Sequence, residues 1–333
     1  MPETPPRHTL LAPLDWGLGH ASRSLALAGR LEAEGDRVSW ACSGPAAEML
    51  RRELPERKIH ELPAYRVRYK SRSMVWNVMR QAWRWRKTIK AERKATAELV
   101  DELGIDRIVS DSRFGCHDPR VHSVFMTHQL HPVTHFAPAS AAYKWQLQHF
   151  DEFWVPDEAD HGRLSGKLSS SSGYENVQYI GQLSRLSSTP GHAPFDLLVL
   201  LSGPEPMRTR LEEIIVSQLA STDGITYRLV RGLPEQGEIP DIDPSIPKEY
   251  VLPFADTTTL SPLLTAAHCV IARSGYSTLM DLQALQKKAI LIPTPGQTEQ
   301  AYLAQRAQLQ GWAVAVMEQE ELDLVGSYSR IVG

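Results

Sequence analysis

The chain has 333 residues, 42% of them apolar and 23% charged, with a formal net charge of -3 at pH 7. That length allows two domains of ordinary size or one long α/β domain, and so balanced a charge gives no bulk electrostatic reason to expect a nucleic-acid binder. Three cysteines, Cys42, Cys116 and Cys269, are too scattered for a disulfide framework or a four-cysteine zinc site, which suits a reducing cytosol.

In chain order, the first apolar run is short and broken by proline, so neither a signal peptide nor a membrane anchor is expected and the protein reads as cytoplasmic. "HTLLAPL" (8–14) reads as a strand and leads through "DWGLGHASRS" into a helix from about Ser22. "RVSWACS" precedes another helix, and "DRIVSD" and "HSVFMTH" follow the long stretch 73 to 103. The rhythm restarts with "FDLLVLLSG", a helix from Met207, "TYRLVRG", "EYVLPF", "HCVIARSG", "KKAILIP" and "WAVAVM". Strands alternating with helices predict parallel sheets covered by helices. The expected division is 1–185 and 195–333 as two doubly wound domains facing a cleft, with 186–194 ("LSSTPGHAP") as a linker.

In such sheets ligands sit beyond the carboxyl ends of the strands, so the loops there carry the chemistry. Gly17 and Gly19 permit a tight turn that sets His20 and Arg23 at a helix start, where unpaired N–H groups favour anions. A dinucleotide fingerprint wants a third glycine where this chain has Ser22, so NAD is not favoured. Further on, Arg273, Ser274 and Gly275 end a strand, Ser277 and Thr278 suit a helix N-cap, and Asp281 falls one turn inside. That places hydroxyls and N–H groups on a diphosphate and a carboxylate within reach of a ribose diol. Gln297, Glu299 and Gln300, after the next strand, can hydrogen-bond sugar hydroxyls.

Two other stretches stand out. Residues 110–135 hold Asp111, Arg113, His117, His122, His128, His131 and His135, without the spacing of a known metal motif, so no metal site is expected. Asp111, Arg113, His128 and Gln129 read instead as strand-end polar groups lining the cleft. Residues 65–94 are basic and carry Trp76, Trp83 and Trp85. A helix there would either pack on the core or rest peripherally, through 73–90, on the inner face of a membrane or on a lipid-linked acceptor. "DID" at 241–243 sits in a proline-rich loop and is discounted as a metal motif.

The glycine-histidine loop, "ARSGYSTLMD" and "PTPGQTEQAYL" together resemble the GT-B glycosyltransferases of family 28, the type that builds the peptidoglycan lipid precursor. The resemblance spans both halves of the chain. It implies two Rossmann-like domains, 1–185 binding the acceptor, with Arg23, Arg113, His128 and Gln129 on the acceptor side, and 195–333 binding the nucleotide sugar. It implies too an inverting, metal-independent transfer of a hexosyl or N-acetylhexosaminyl group from that nucleotide sugar, with UDP as the nucleotide and no cofactor. It also implies His20 and Gly19 beside acceptor and diphosphate, Phe254 and Ala255 on the uracil, and Ser274 and Gly275 in the phosphate loop. Asp281 takes the place of a ribose-binding glutamate, Glu299 and Gln300 hold the donor sugar, and Arg185 touches the diphosphate. The family's second glycine-rich loop is here "LSGPEPMRT", which offers Ser202 and Gly203, with Arg208 as added positive charge. His20 is the expected catalytic base, Asp111 its rival. A nucleotide-sugar hydrolase or epimerase of the same fold, or a non-catalytic nucleotide-sugar binder, is the alternative.

Overall fold

The computed structural model describes residues 6–15, 18–65, 74–132, 137–159, 162–233 and 243–332, without the side chains of 74–84 and 137–139. Two compact units divide the chain, Met1–Leu183 and Ser184–Gly333.

The first unit runs β1 (His8–Pro13), α1 (Gly19–Ala33), β2 (Arg37–Cys42), α2 (Gly44–Glu53), β3 (Ile59–Glu61), α3 (Met74–Leu103), β4 (Arg107–Asp111), β5 (His122–Met126), α4 (Ala137–Leu147), β6 (Glu152–Val155) and β7 (Val177–Tyr179). The strands form a parallel sheet in the order β3-β2-β1-β4-β5-β6-β7. All six residues of β1 are buried, as a central parallel strand with both faces covered requires. Leu10, Ala41, Leu99, Val100 and Ile108 form one part of its core, and Phe125, Leu130, Leu147, Phe150 and Phe153 another. Each such leucine, isoleucine or phenylalanine contributes roughly 1.5–3 kcal/mol by leaving water.

Helix α1 begins at Gly19, three residues before the expected start, because the Ser22 amide already donates to Leu18 O at 2.9 Å. His20 is therefore inside its first turn.

The second unit runs β8 (Phe195–Leu200), α5 (Met207–Ala220), β9 (Tyr227–Val230), β10 (Val251–Leu252), α6 (Thr257–Ala266), β11 (Ala267–Ala272), α7 (Tyr276–Ala284), β12 (Lys288–Leu291), α8 (Thr298–Leu309), β13 (Ala313–Ala315) and α9 (Leu324–Val332). Its parallel sheet has the order β10-β9-β8-β11-β12-β13. Leu197, Val199, Ile215, Leu229, Ile271, Ile290, Leu324 and Ile331 share its core, so α9 closes onto this unit's own sheet. The stretch expected as a linker packs within the same unit: the Thr189 amide donates to Thr265 Oγ1 at 3.0 Å, and Gly191 approaches Pro262 so closely that a Cβ would stand 3.0 Å from the proline's.

Each sheet reverses its winding once, between β1 and β4 and between β8 and β11. Beyond the carboxyl ends of those pairs lie the crevices where doubly wound sheets bind ligands.

Candidate functional site

At the first crevice the β1–α1 turn brings His20 to Asp111, the last residue of β4. His20 Nδ1 lies 3.0 Å from Asp111 Oδ1. Arg23, one turn along α1, donates through Nε to Asp111 Oδ2 at 2.7 Å and through Nη2 to Oδ1. Its Nη1 donates to His128 Nδ1, 3.0 Å away, after β5. Burial alone would push the Asp111 carboxyl up, but Arg23 and His20 hold it well below the usual carboxylate range.

His20 Nδ1 faces both Asp111 Oδ1, which only accepts when ionised, and Arg23 Nη2 at 2.9 Å, which only donates; in the tautomer that gives the Nδ1 proton to Asp111, the lone pair is on Nε2. The ring is 18% exposed while Asp111 and Arg23 are each 1% exposed, and among the described residues Nε2 has no partner. A buried carboxylate thus orients an accessible imidazole, the arrangement of a general base.

The acceptor-side residues divide. His128 is nearly buried, and its Nε2 lies 3.3 Å from the partly buried Gln129 amide. Arg23 is buried against Asp111, His128 and His20, so its side chain does not line the surface where an acceptor would sit. Arg113 is a clearer correction. It is fully buried, with Nη1 to Glu92 Oε1 at 2.7 Å, Nη2 to Ser43 Oγ at 2.6 Å and Nε to Pro13 O at 2.9 Å. A charge so completely enclosed ties loops together and does not line a surface.

Apart from Gly19, which starts α1, and Arg185, which precedes β8, the expected donor residues follow strands of the second sheet. Ser202 and Gly203 follow β8, Phe254 and Ala255 follow β10, Ser274, Gly275, Ser277, Thr278 and Asp281 follow β11, and Gln297, Glu299 and Gln300 follow β12. Because the strands are parallel, all of these lie at one edge. Ser274 Oγ donates to Gln300 O at 2.8 Å, and Gln300 Oε1 accepts from the Thr294 amide at 2.8 Å, joining two of the turns. Ser277 and Thr278 are not the N-cap: Gly275 is, and no side chain caps α7. The helix starts earlier than hydroxyl preference suggests because Leu279 N reaches back to Gly275 O at 3.1 Å.

Asp281 accepts from Ser184 Oγ at 2.6 Å. Burial pushes its pKa up to about 6, opposed by the Ser184 hydroxyl and the Arg185 charge. Arg185 itself donates to Thr257 Oγ1. Arg208, chosen from sequence as a free positive charge, is neutralised: Glu205 lies at 2.6 Å and Glu212 at 2.8 Å, and Glu212 also pairs Arg231.

The histidines of 110–135 disperse. His117 stacks on His149 with ring centroids 4.9 Å apart, and burial pushes its pKa down to about 4. His122 pairs with Glu152 at 3.0 Å. Among the described residues no three His, Cys, Asp or Glu side chains are grouped to hold a metal ion. His135, Gly17, Asp241 and the face carrying Trp76, Trp83 and Arg84 lie outside the described residues or side chains. No helix among the described residues is long and apolar enough to cross a membrane. Residues that sequence reasoning did not single out are Glu92, Ser184 and Thr294; only the fold brings them to their partners, and no local motif marks them.

Residues 243–327 match the glycosyltransferase family 28 C-terminal domain. An uncharacterized glycosyltransferase of Methanosarcina mazei is 24% identical over 94% of this chain and 84% of its own length. The UDP-N-acetylglucosamine--N-acetylmuramyl-(pentapeptide) pyrophosphoryl-undecaprenol N-acetylglucosamine transferase of a Methylobacterium species is 33% identical over 37% of this chain and 29% of its own. Among solved structures, the glycotransferase of kitacinnamycin superposes with a TM-score of 0.64 at 15% identity, over 99% of this chain and 91% of that one.

Proposed function

We propose that this chain, a glycosyltransferase of the GT-B fold whose second unit matches family 28, moves a hexosyl or N-acetylhexosaminyl group from a UDP-sugar to an acceptor hydroxyl, with inversion and without a metal ion. The observation that carries the reading is a partly exposed His20 ring held through Nδ1 by the buried Asp111. In this reading Nε2 takes the acceptor's hydroxyl proton as its oxygen bonds to the anomeric carbon. The bond from that carbon to the diphosphate breaks, and UDP leaves.

Charge gathering on the leaving diphosphate is met by the N-terminus of α7, whose dipole favours anions, and by Arg185. Asp281, braced by Ser184, accepts the ribose hydroxyls, and Gln297, Glu299 and the Gln300 amide take the sugar. UDP is favoured by the resemblance of "VLPFAD" and "ARSGYSTLMD" and by the printed donor of the Methylobacterium relative.

Calorimetric titration in a chelating buffer tests the donor assignment, with GDP and NAD as comparisons. Binding of UDP in the micromolar range, about -8 kcal/mol, is the expected outcome. Preference for NAD, or no nucleotide binding, overturns it, and release of free sugar without acceptor assigns a hydrolase instead.

The raised pKa of Asp281 adds a pH signature. Ribose hydroxyls donate to the ionised carboxylate, so binding strengthens as pH rises through about 6. Uridine, which lacks phosphate titration, is expected to bind about tenfold more tightly at pH 7 than at pH 5, because the ionised fraction changes by that factor. The stability sign is opposite: a folded-state pKa above the ordinary value gives a contribution that is full at low pH and lost as pH rises through 6. Asp281→Asn is expected to flatten the uridine profile; an unchanged profile would remove Asp281 from ribose binding.

A further inference from the structure

Beyond the carboxyl ends of β11 and β12, beside the loop after β8, two buried side chains have donors with no partner among the described residues. Arg273, the residue after β11, is 1% exposed. Its Nη1 donates to Pro293 O at 3.0 Å, and its Nη2 to Met207 O and Gln319 Oε1, both at 2.8 Å. Its Nε has no partner, and neither does the hydroxyl of Thr294, itself 2% exposed.

Both orphan atoms face the same point. A Cβ on Gly203 would stand 3.5 Å from Thr294 Oγ1 and 3.8 Å from Arg273 Nε. Gly203 has φ of 108°, so the loop presents bare backbone there in a conformation that glycine alone adopts comfortably.

The charge of Arg273 is answered only from beyond ion-pair distance, by Glu320. Its partners are backbone carbonyls and one amide, with no carboxylate at ion-pair distance among the described residues. Arg208, Arg231, Glu205 and Glu212 cancel as a group. Burying a guanidinium without a counter-charge is costly, and burial pushes its pKa down to about 10. A protein that keeps such a group gains if an anion arrives beside it.

We propose that Arg273 is the positioning charge for the diphosphate of a nucleoside-diphosphate donor, acting through the Gly203 loop with Thr294 as its hydroxyl partner. This rests on the donor reading above and adds the group that selects the phosphates. The guanidinium also clamps the turns that lead into α5 and α8, through Met207 O and Pro293 O, so charge and loop geometry are set by one side chain.

The test compares UDP with uridine on the full-length protein by calorimetry, for wild type and Arg273→Met, with melting followed by circular dichroism. Wild type is expected to prefer UDP by tenfold or more, about 1.4 kcal/mol, and Arg273→Met to shrink that preference below about threefold while uridine affinity holds. A purely structural arginine would weaken both ligands together, and that result, or a preserved preference, overturns the proposal. If wild type binds neither ligand, the donor reading fails; if it binds both equally, only the Arg273 role fails. Should Arg273→Met not fold, the wild-type Arg273 Nε–H resonance decides. A shift with UDP beyond that with uridine supports the role, and equal shifts overturn it.

Discussion

Replacing His20 by alanine is expected to lower kcat by about 10²–10⁴-fold at saturating donor, the span that a positioned general base supplies. The expectation follows from the division of labour in the structure. His20 Nδ1 is held at 3.0 Å from Asp111, and among the described residues the opposite nitrogen has no partner. The groups expected to hold the donor lie in the second unit, so UDP affinity should stay within about threefold of wild type, under 1 kcal/mol. Steady-state kinetics and UDP titration on the same preparation separate the two quantities. Full turnover in His20→Ala would end its role as base, and a loss confined to UDP affinity would make it a phosphate contact instead. Asp111→Asn should also slow turnover, because an amide no longer dictates which ring nitrogen carries the proton, and Arg23 would lose its counter-charge.

What the sequence made legible follows a physical divide. Parallel strands buried on both faces appear as apolar runs, so β1, β4, β5, β8, β11 and β12 and the loops beyond them were placed. The short outer strands β3, β6 and β7 have three or four residues each and no alternation to reveal them. The helix starts at Gly19 and Tyr276 came earlier than expected, because both helices begin without a capping side chain. Residue type gave His20 and Asp111 but not which arginines carry usable charge. Arg113, Arg208 and Arg273 look alike in sequence, and only the carboxylates around them tell them apart: Glu92 for the first, Glu205 and Glu212 for the second, none at ion-pair distance among the described residues for the third.

The largest stability effect is expected at Glu92, far in sequence from the base yet bound into its support. Its Oε1 accepts from Arg113 Nη1 at 2.7 Å, while its Oε2 accepts from Tyr65 OH at 2.7 Å and from the Gly115 amide at 3.2 Å. Gly115 is pressed so near α3 that a Cβ would stand 2.5 Å from Ile89 O. Glu92→Ala strips the nearer counter-charge from a fully buried guanidinium, leaving Asp15 at 3.7 Å, which costs about 3–5 kcal/mol. For the unit Met1–Leu183 that corresponds to roughly 10 °C in melting temperature, at about 2–4 °C per kcal/mol. Turnover should fall as well, because Arg113 also holds Pro13 O and Ser43 Oγ, and Ser43 in turn donates to Asp15 Oδ2 at 3.2 Å, on the turn that delivers His20. The sharper test is a double-mutant cycle with Glu92→Leu and Arg113→Met. A buried ion pair is most costly when half removed, so the double variant should be more stable than Glu92→Leu alone. Additive losses in scanning calorimetry would show instead that the two side chains act separately, and that the turn carrying His20 is held by something other than this pair.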